Sequence, residues 1–161
     1  MKKCIANSDR ILPIFDKVVR KTLCLQNYLL NDGHVEGLAE ACEHLDHHMI
    51  NRMLFNNVGM TGDQLALILE GVAKMHDFKA LTYKQGLLNE LAIERLSPIL
   101  TRSVPNHLEQ VSIIDCKISP TLMEHLLDEL LEKSRIKKMA LVHVQHSERS
   151  FEKLINMLKM S

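Results

Sequence analysis

The chain has no tryptophan, and only two tyrosines and four phenylalanines among its 161 residues. So few rings argue against a surface that stacks nucleic-acid bases. An excess of one charge is missing too: Lys plus Arg and Asp plus Glu each total 20. That balance speaks against a polybasic nucleic-acid binder and against an acidic tail. No apolar run approaches the ~20 residues of a membrane span. The opening stretch is basic, but Asn7, Ser8, Asp9 and Arg10 break the apolar core that a secretory signal requires. Residues 10–21 can be amphipathic, which leaves a mitochondrial presequence open, although Asp9 and Asp16 oppose it. Cys4, Cys24, Cys42 and Cys116 have no framework spacing and read as reduced thiols of a cytoplasmic compartment.

Motifs that carry chemistry are absent as well. No G-x-S-x-G, P-loop, H-E-x-x-H or G-x-G-x-x-G occurs. The nearest paired acids, Glu129 and Glu132, fall on a polar helix face, where charges are ordinarily just solvated. Cys42, His44, His47 and His48 cluster in sequence, but no second ligand pair stands elsewhere at a zinc-like spacing. They read as a solvated turn after a core-facing cysteine. The expectation is a protein without enzyme activity, cofactor, metal or small-molecule substrate.

What the chain does contain is a repeat. Five segments starting at Leu23, Met53, Leu81, Val111 and Met139 align in one register, at steps of 30, 28, 30 and 28 residues. With the first residue of each as slot one, slot three holds Leu25, Phe55, Tyr83, Ile113 and Leu141. Apolar residues two apart share one side of a strand, which predicts strands near 22–26, 52–56, 80–84, 110–114 and 138–142. Slot eight is Leu30, Met60, Leu88, Ile118 and then His146, where the pattern decays.

Slots thirteen, sixteen and twenty switch to helical spacing: Val35, Leu38, Cys42; Leu65, Ile68, Val72; Ile93, Leu96, Leu100; Met123, Leu126, Leu130; Phe151, Leu154, Leu158. Slot nine is Asn31, Thr61, Asn89, Ser119 and Ser147, all good N-caps. Gln64 completes a capping box with Thr61, and Pro120 suits the first helical position after Ser119. Each unit is therefore expected to be a strand followed by an amphipathic helix. Such units stack, each covering the apolar face of its neighbour.

This pattern resembles the leucine-rich repeat, and the alternating 28 and 30 steps resemble its ribonuclease-inhibitor-like class. The resemblance covers roughly residues 20 to 160. It implies an α/β right-handed solenoid with parallel strands on a concave face and helices on the convex face. That family commonly has Asn or Cys at slot six, where the side chain ties down the loop; here the slot holds Tyr28, Val58, Gly86, Cys116 and Val144.

Residues 1–21 are expected to form an N-terminal cap and 22–161 the five repeats. Ile11, Phe15, Val18 and Val19 share a face at helical spacing, predicting a helix over 9–21 that shields the first repeat. No polar capping unit follows the fifth helix. The open edge carrying Phe151 and Leu158 is expected to be covered, by further chain or by another subunit.

The outward strand slots suggest a binding surface: Leu54, Asn56, Lys84, Ile114, Asp115, Val142 and His143. Ile114 and Val142 occupy the same slot of consecutive strands. They read either as a contact or as β-branched residues serving strand propensity. The function class expected is a protein-interaction or scaffolding module of a multi-subunit assembly. The alternative is a regulator, an inhibitor or GTPase activator, for which Asn56 and Asn57 are the weak candidates. By analogy with similar scaffolds, the location is cytoplasmic, with cytoskeletal or ciliary assemblies in view. The partner is expected to be protein, not nucleic acid or membrane.

Overall fold

The apolar alternation at slots one and three becomes five strands of five residues each. In the computed structural model, which describes residues 17–44, 49–100, 108–133 and 136–159, these are β2 (Thr22–Gln26), β3 (Arg52–Asn56), β4 (Ala80–Lys84), β5 (Gln110–Ile114) and β6 (Lys138–Val142). They occupy the expected residues. A two-residue strand, β1 (Val18–Val19), precedes them. The sheet order is the chain order, β1 to β6; β1 pairs antiparallel with β2, and every later pair is parallel.

Parallel neighbours need a crossover, and a helix supplies each one. These are α1 (Asp32–Cys42), α2 (Gly62–Ala73), α3 (Glu90–Leu100) and α4 (Pro120–Lys133), with α5 (Glu148–Lys159) after β6. Pairing follows slot for slot: Leu23 lies opposite Met53, Met53 opposite Leu81, Leu81 opposite Val111, and Val111 opposite Met139. The rows that result are buried from Leu23 through Val111 and from Leu25 through Ile113. They join the helical positions Val35, Leu38, Leu65, Ile68, Ile93, Leu96, Met123 and Leu126 in one core. The helices thus cover the face of slots one and three, and slots two and four point away.

Each expected N-cap is made. Asn31 Oδ1 accepts from His34 N at 2.9 Å, Thr61 Oγ1 from Gln64 N at 3.2 Å and Asn89 Oδ1 from Ala92 N at 2.9 Å. Ser119 Oγ accepts from Leu122 N at 3.3 Å and Ser147 Oγ from Ser150 N at 3.0 Å. Thr61 N donates in return to Gln64 Oε1 at 2.9 Å, closing the capping box. Every cap satisfies an otherwise orphaned N–H, typically a contribution of ~1 kcal/mol.

The strands end in a shared kink. Slot five, read as part of the sheet surface, lies instead in the left-handed region in all five units: Asn27 (φ 54°), Asn57 (51°), Gln85 (56°), Asp115 (53°) and His143 (51°). No described glycine has positive φ. Asn and Asp tolerate this conformation because their short polar side chains bond locally. The kink lets the slot-five N–H donate to the last residue of the next strand, as in Asn57 N to Lys84 O at 3.0 Å and Asp115 N to Val142 O at 2.8 Å.

Behind the kink, slot six shows how the departures are accommodated. Cys116 Sγ donates to Ile114 O at 3.3 Å and to Tyr83 O at 3.4 Å, tying two units. Val58 and Val144 are simply buried. At Gly86 the tie comes from slot three. The buried Tyr83 hydroxyl accepts from Leu87 N at 3.1 Å and donates to Leu87 O at 3.3 Å. A Cβ on residue 86 would stand 2.1 Å from Tyr83 Cζ, so the ring reaches the loop only because residue 86 has no side chain.

One expectation needs correction. Residues 9–16 of the proposed N-terminal helix lie outside the described residues, and Val18–Val19 are a strand rather than its last turn. Arg20 (φ 49°) and Lys21 (φ 64°) fold them back onto β2 through a two-residue hairpin of positive-φ turn residues, Val19 pairing with Thr22. β-Branched residues favour that strand. At the other end, slot thirteen is not buried in the last unit. Phe151 is 60% exposed, against 1% or less for Val35, Leu65, Ile93 and Met123. No further unit packs on α5 among the described residues.

Candidate interaction surfaces

The uncovered sheet face carries two rows fixed by the pairing register. One is Cys24, Leu54, Thr82, Ser112 and Ala140; the other is Gln26, Asn56, Lys84, Ile114 and Val142. Leu54, Asn56, Lys84 and Ile114 are half-buried and Val142 is exposed. Ile114 and Val142 are register partners, so the two apolar side chains stand side by side. Asn56 Oδ1 is buried there without a hydrogen-bond partner, a group that a docking donor or a water would satisfy.

Asp115 and His143 leave this face through the kink and meet each other: His143 Nδ1 lies 2.7 Å from Asp115 Oδ1. Asn57 Nδ2 donates to Asn27 Oδ1 at 2.9 Å in the same row three units earlier. Next to Asp115 and His143 a hollow of about 460 Å³ opens, lined also by Leu87, Lys117 and Ser119. Of the expected open edge, Phe151 is exposed, with the partly exposed Ile155 one turn on. The Leu158 side chain lies outside the described residues. The sheet face and the α5 end are separate surfaces, so the sequence-derived residues do not converge on one site.

Burial disposes of Cys42 and Cys116 as nucleophiles. It pushes Cys42 up to about 12 and raises Cys116 as well, although backbone hydrogen bonds to Cys116 oppose the rise. As a metal ligand Cys42 would have to ionise, which its burial in the core opposes. His47 and His48 of the sequence cluster lie outside the described residues. Among the described residues no helix is long and apolar enough to cross a membrane.

A further surface was not anticipated. The residues one and two places before slot one form their own rows, and these carry Arg52, Lys79, Lys137 and Lys138 with Glu109. The signal lies at fixed repeat positions, in the two columns just ahead of slot one. Neither a protein-family model nor a curated protein matches the chain.

Proposed function

We propose that this chain is a non-catalytic protein-interaction module, a leucine-rich-repeat solenoid acting as a scaffold within a larger protein assembly. The repeat reading is supported by five slot-matched parallel strands, five slot-nine caps and five slot-five kinks. The observation that carries the functional reading is the adjacent pair Ile114 and Val142 on the helix-free sheet face. Adjacent apolar residues on an uncovered face mark contact sites more often than scattered ones do. The non-catalytic reading rests on chemistry: the core thiols resist ionisation, and no described hydroxyl or thiol hydrogen-bonds to His143.

The test is affinity isolation of the native protein with identification of what accompanies it. Replacing Ile114 and Val142 together with Asp should remove the partner while leaving the thermal melt close to that of the parent, since neither side chain belongs to the buried core. Undiminished association would exclude this face. Turnover of a substrate by the pure protein would exclude the non-catalytic reading.

A further inference from the structure

The overall charge balance conceals a separation. Helices α1 and α2 contain Asp32, Glu36, Glu40, Asp63 and Glu70 and no Lys or Arg. Where β3 to β6 begin, the preponderance is reversed. A hollow of about 120 Å³ there is lined by Arg52, Lys79, Lys137 and Lys138, with Glu109 among them. Its walls are fixed by a backbone ladder: Lys79 N donates to Asn51 O at 2.8 Å, Glu109 N to Lys79 O at 2.9 Å and Lys137 N to Glu109 O at 2.8 Å.

One place in this strip is already filled by the chain itself. Lys137 Nζ donates to Glu109 Oε1 at 2.8 Å, and that bond, with Lys79 adding to it, holds the Glu109 carboxyl below its usual range. Lys79 also lies 3.3 Å from Asp77. The side chains of Arg52 and Lys138 are exposed and make no hydrogen bond or ion pair with described residues. Four cations therefore face two carboxylates, and the two unpaired cations stand at opposite ends of the strip.

We propose that this strip docks an extended acidic protein segment with two carboxylates four residues apart and a neutral residue midway between them. The inference rests on the interaction-module reading and names a surface and a partner chemistry for it. Strands lie ~4.8 Å apart, so β3 to β6, three intervals, places Arg52 and Lys138 roughly 14 Å from each other. An extended peptide rises ~3.3 Å per residue, so residues four apart span about 13 Å and point the same way. Acids at the first and fifth positions of such a segment reach Arg52 and Lys138 together.

The residue between them can be neutral where Glu109 faces it. A nucleic-acid backbone charged at every residue lacks that freedom and would be repelled at the centre. No aromatic side chain lines the strip to stack a base; Phe78 and Tyr83 nearby are buried.

The experiment uses the full chain and a labelled nine-residue serine peptide with Glu at its third and seventh positions, read by fluorescence anisotropy at low and physiological salt. Binding should weaken with salt, as exposed ion pairs do. It should drop about tenfold or more when Gln replaces Glu in the peptide, and by a similar factor in the Arg52→Glu, Lys138→Glu double variant. That variant should melt as the parent does, because neither side chain has a partner to lose among the described residues. The same peptide with Lys in place of both Glu residues should bind the variant better than the parent.

Equal binding of the Glu and Gln peptides, or binding unchanged by the double variant, would overturn the proposal. So would tighter binding of an oligouridylate of equal charge. A parent dimer in sedimentation that dissociates in the double variant would also overturn it, by assigning the strip to the acidic helices of a second copy. If no peptide binds while partner association still depends on Ile114 and Val142, the strip fails and the interaction-module reading stands.

Discussion

The Tyr83–Gly86 arrangement supplies a double-mutant cycle whose outcome follows from geometry. In Gly86→Ala the new Cβ meets ring atoms at 2.1 Å, where carbon atoms rest at about 3.5–4.0 Å. The ring must move by more than an ångström, and Tyr83 is only 2% exposed, so it moves against packed neighbours. Overpacking of that kind costs about 1–3 kcal/mol. Displacement also breaks both hydroxyl bonds to Leu87, worth about 1 kcal/mol each. The single change should therefore cost about 3–5 kcal/mol.

Tyr83→Phe forfeits the same two bonds and costs about 2 kcal/mol. In the double variant those bonds are lost once, not twice, so its destabilisation should fall short of the sum by about 2 kcal/mol. The neighbouring unit shows that the combination is sterically possible: Phe55 and Val58 occupy the equivalent slots, both buried. Urea unfolding followed by circular dichroism measures all four corners. Additivity within about 0.5 kcal/mol would mean that the hydroxyl is not what the methyl displaces, and the account of the loop tie would be wrong.

Two further outcomes are expected. Leu96→Ala removes a 2%-exposed side chain from the central unit and should cost about 2–5 kcal/mol in the same assay; a cost under about 0.5 kcal/mol would place slot sixteen outside the core. Stability should fall in alkali. Burial raises Cys42 from 9.0 and Tyr83 from 10.0, each to about 12, so the folded state favours both neutral forms. Their contribution is complete below about pH 9 and is lost as pH rises towards 12. The urea midpoint should follow that window, and Cys42→Ala should flatten its lower part, between 9 and 10.

How much of this was legible depended on whether a feature repeats along a column. Strands and caps did: Leu23 and Leu25 announce the period of two, and Asn31 to Ser147 announce where each helix starts. The kink was half-legible. Asn27, Asn57 and Asp115 suit positive φ, but Gln85 and His143 in the same slot conceal it, and the slot read as sheet surface. The Tyr83–Gly86 pair lay beyond column reading because it is a compensation between two columns within one unit. Val18 and Val19 fit the helical spacing of Ile11 and Phe15 equally well, and two residues are too few to reveal strand periodicity. The basic strip was hidden by summation. Twenty positive and twenty negative residues cancel on paper, and only the register places them on different edges.

The register has one more consequence, for where the chain can change length. From two residues before slot one through the slot-nine cap, every unit is matched position by position to its neighbour. The alternation between 28 and 30 residues must then be absorbed elsewhere, in the helix and the stretch returning to the next strand. The helices do vary, α3 having 11 residues and α4 14. One leg of each unit thus behaves as a ruled edge and the other as slack. A loop spliced into the slack, such as between His76 and Asp77 in the return from α2 to β4, leaves the rows aligned if it keeps Met75 and Phe78 in the core. A single residue added to a strand would turn its later side chains to the opposite face.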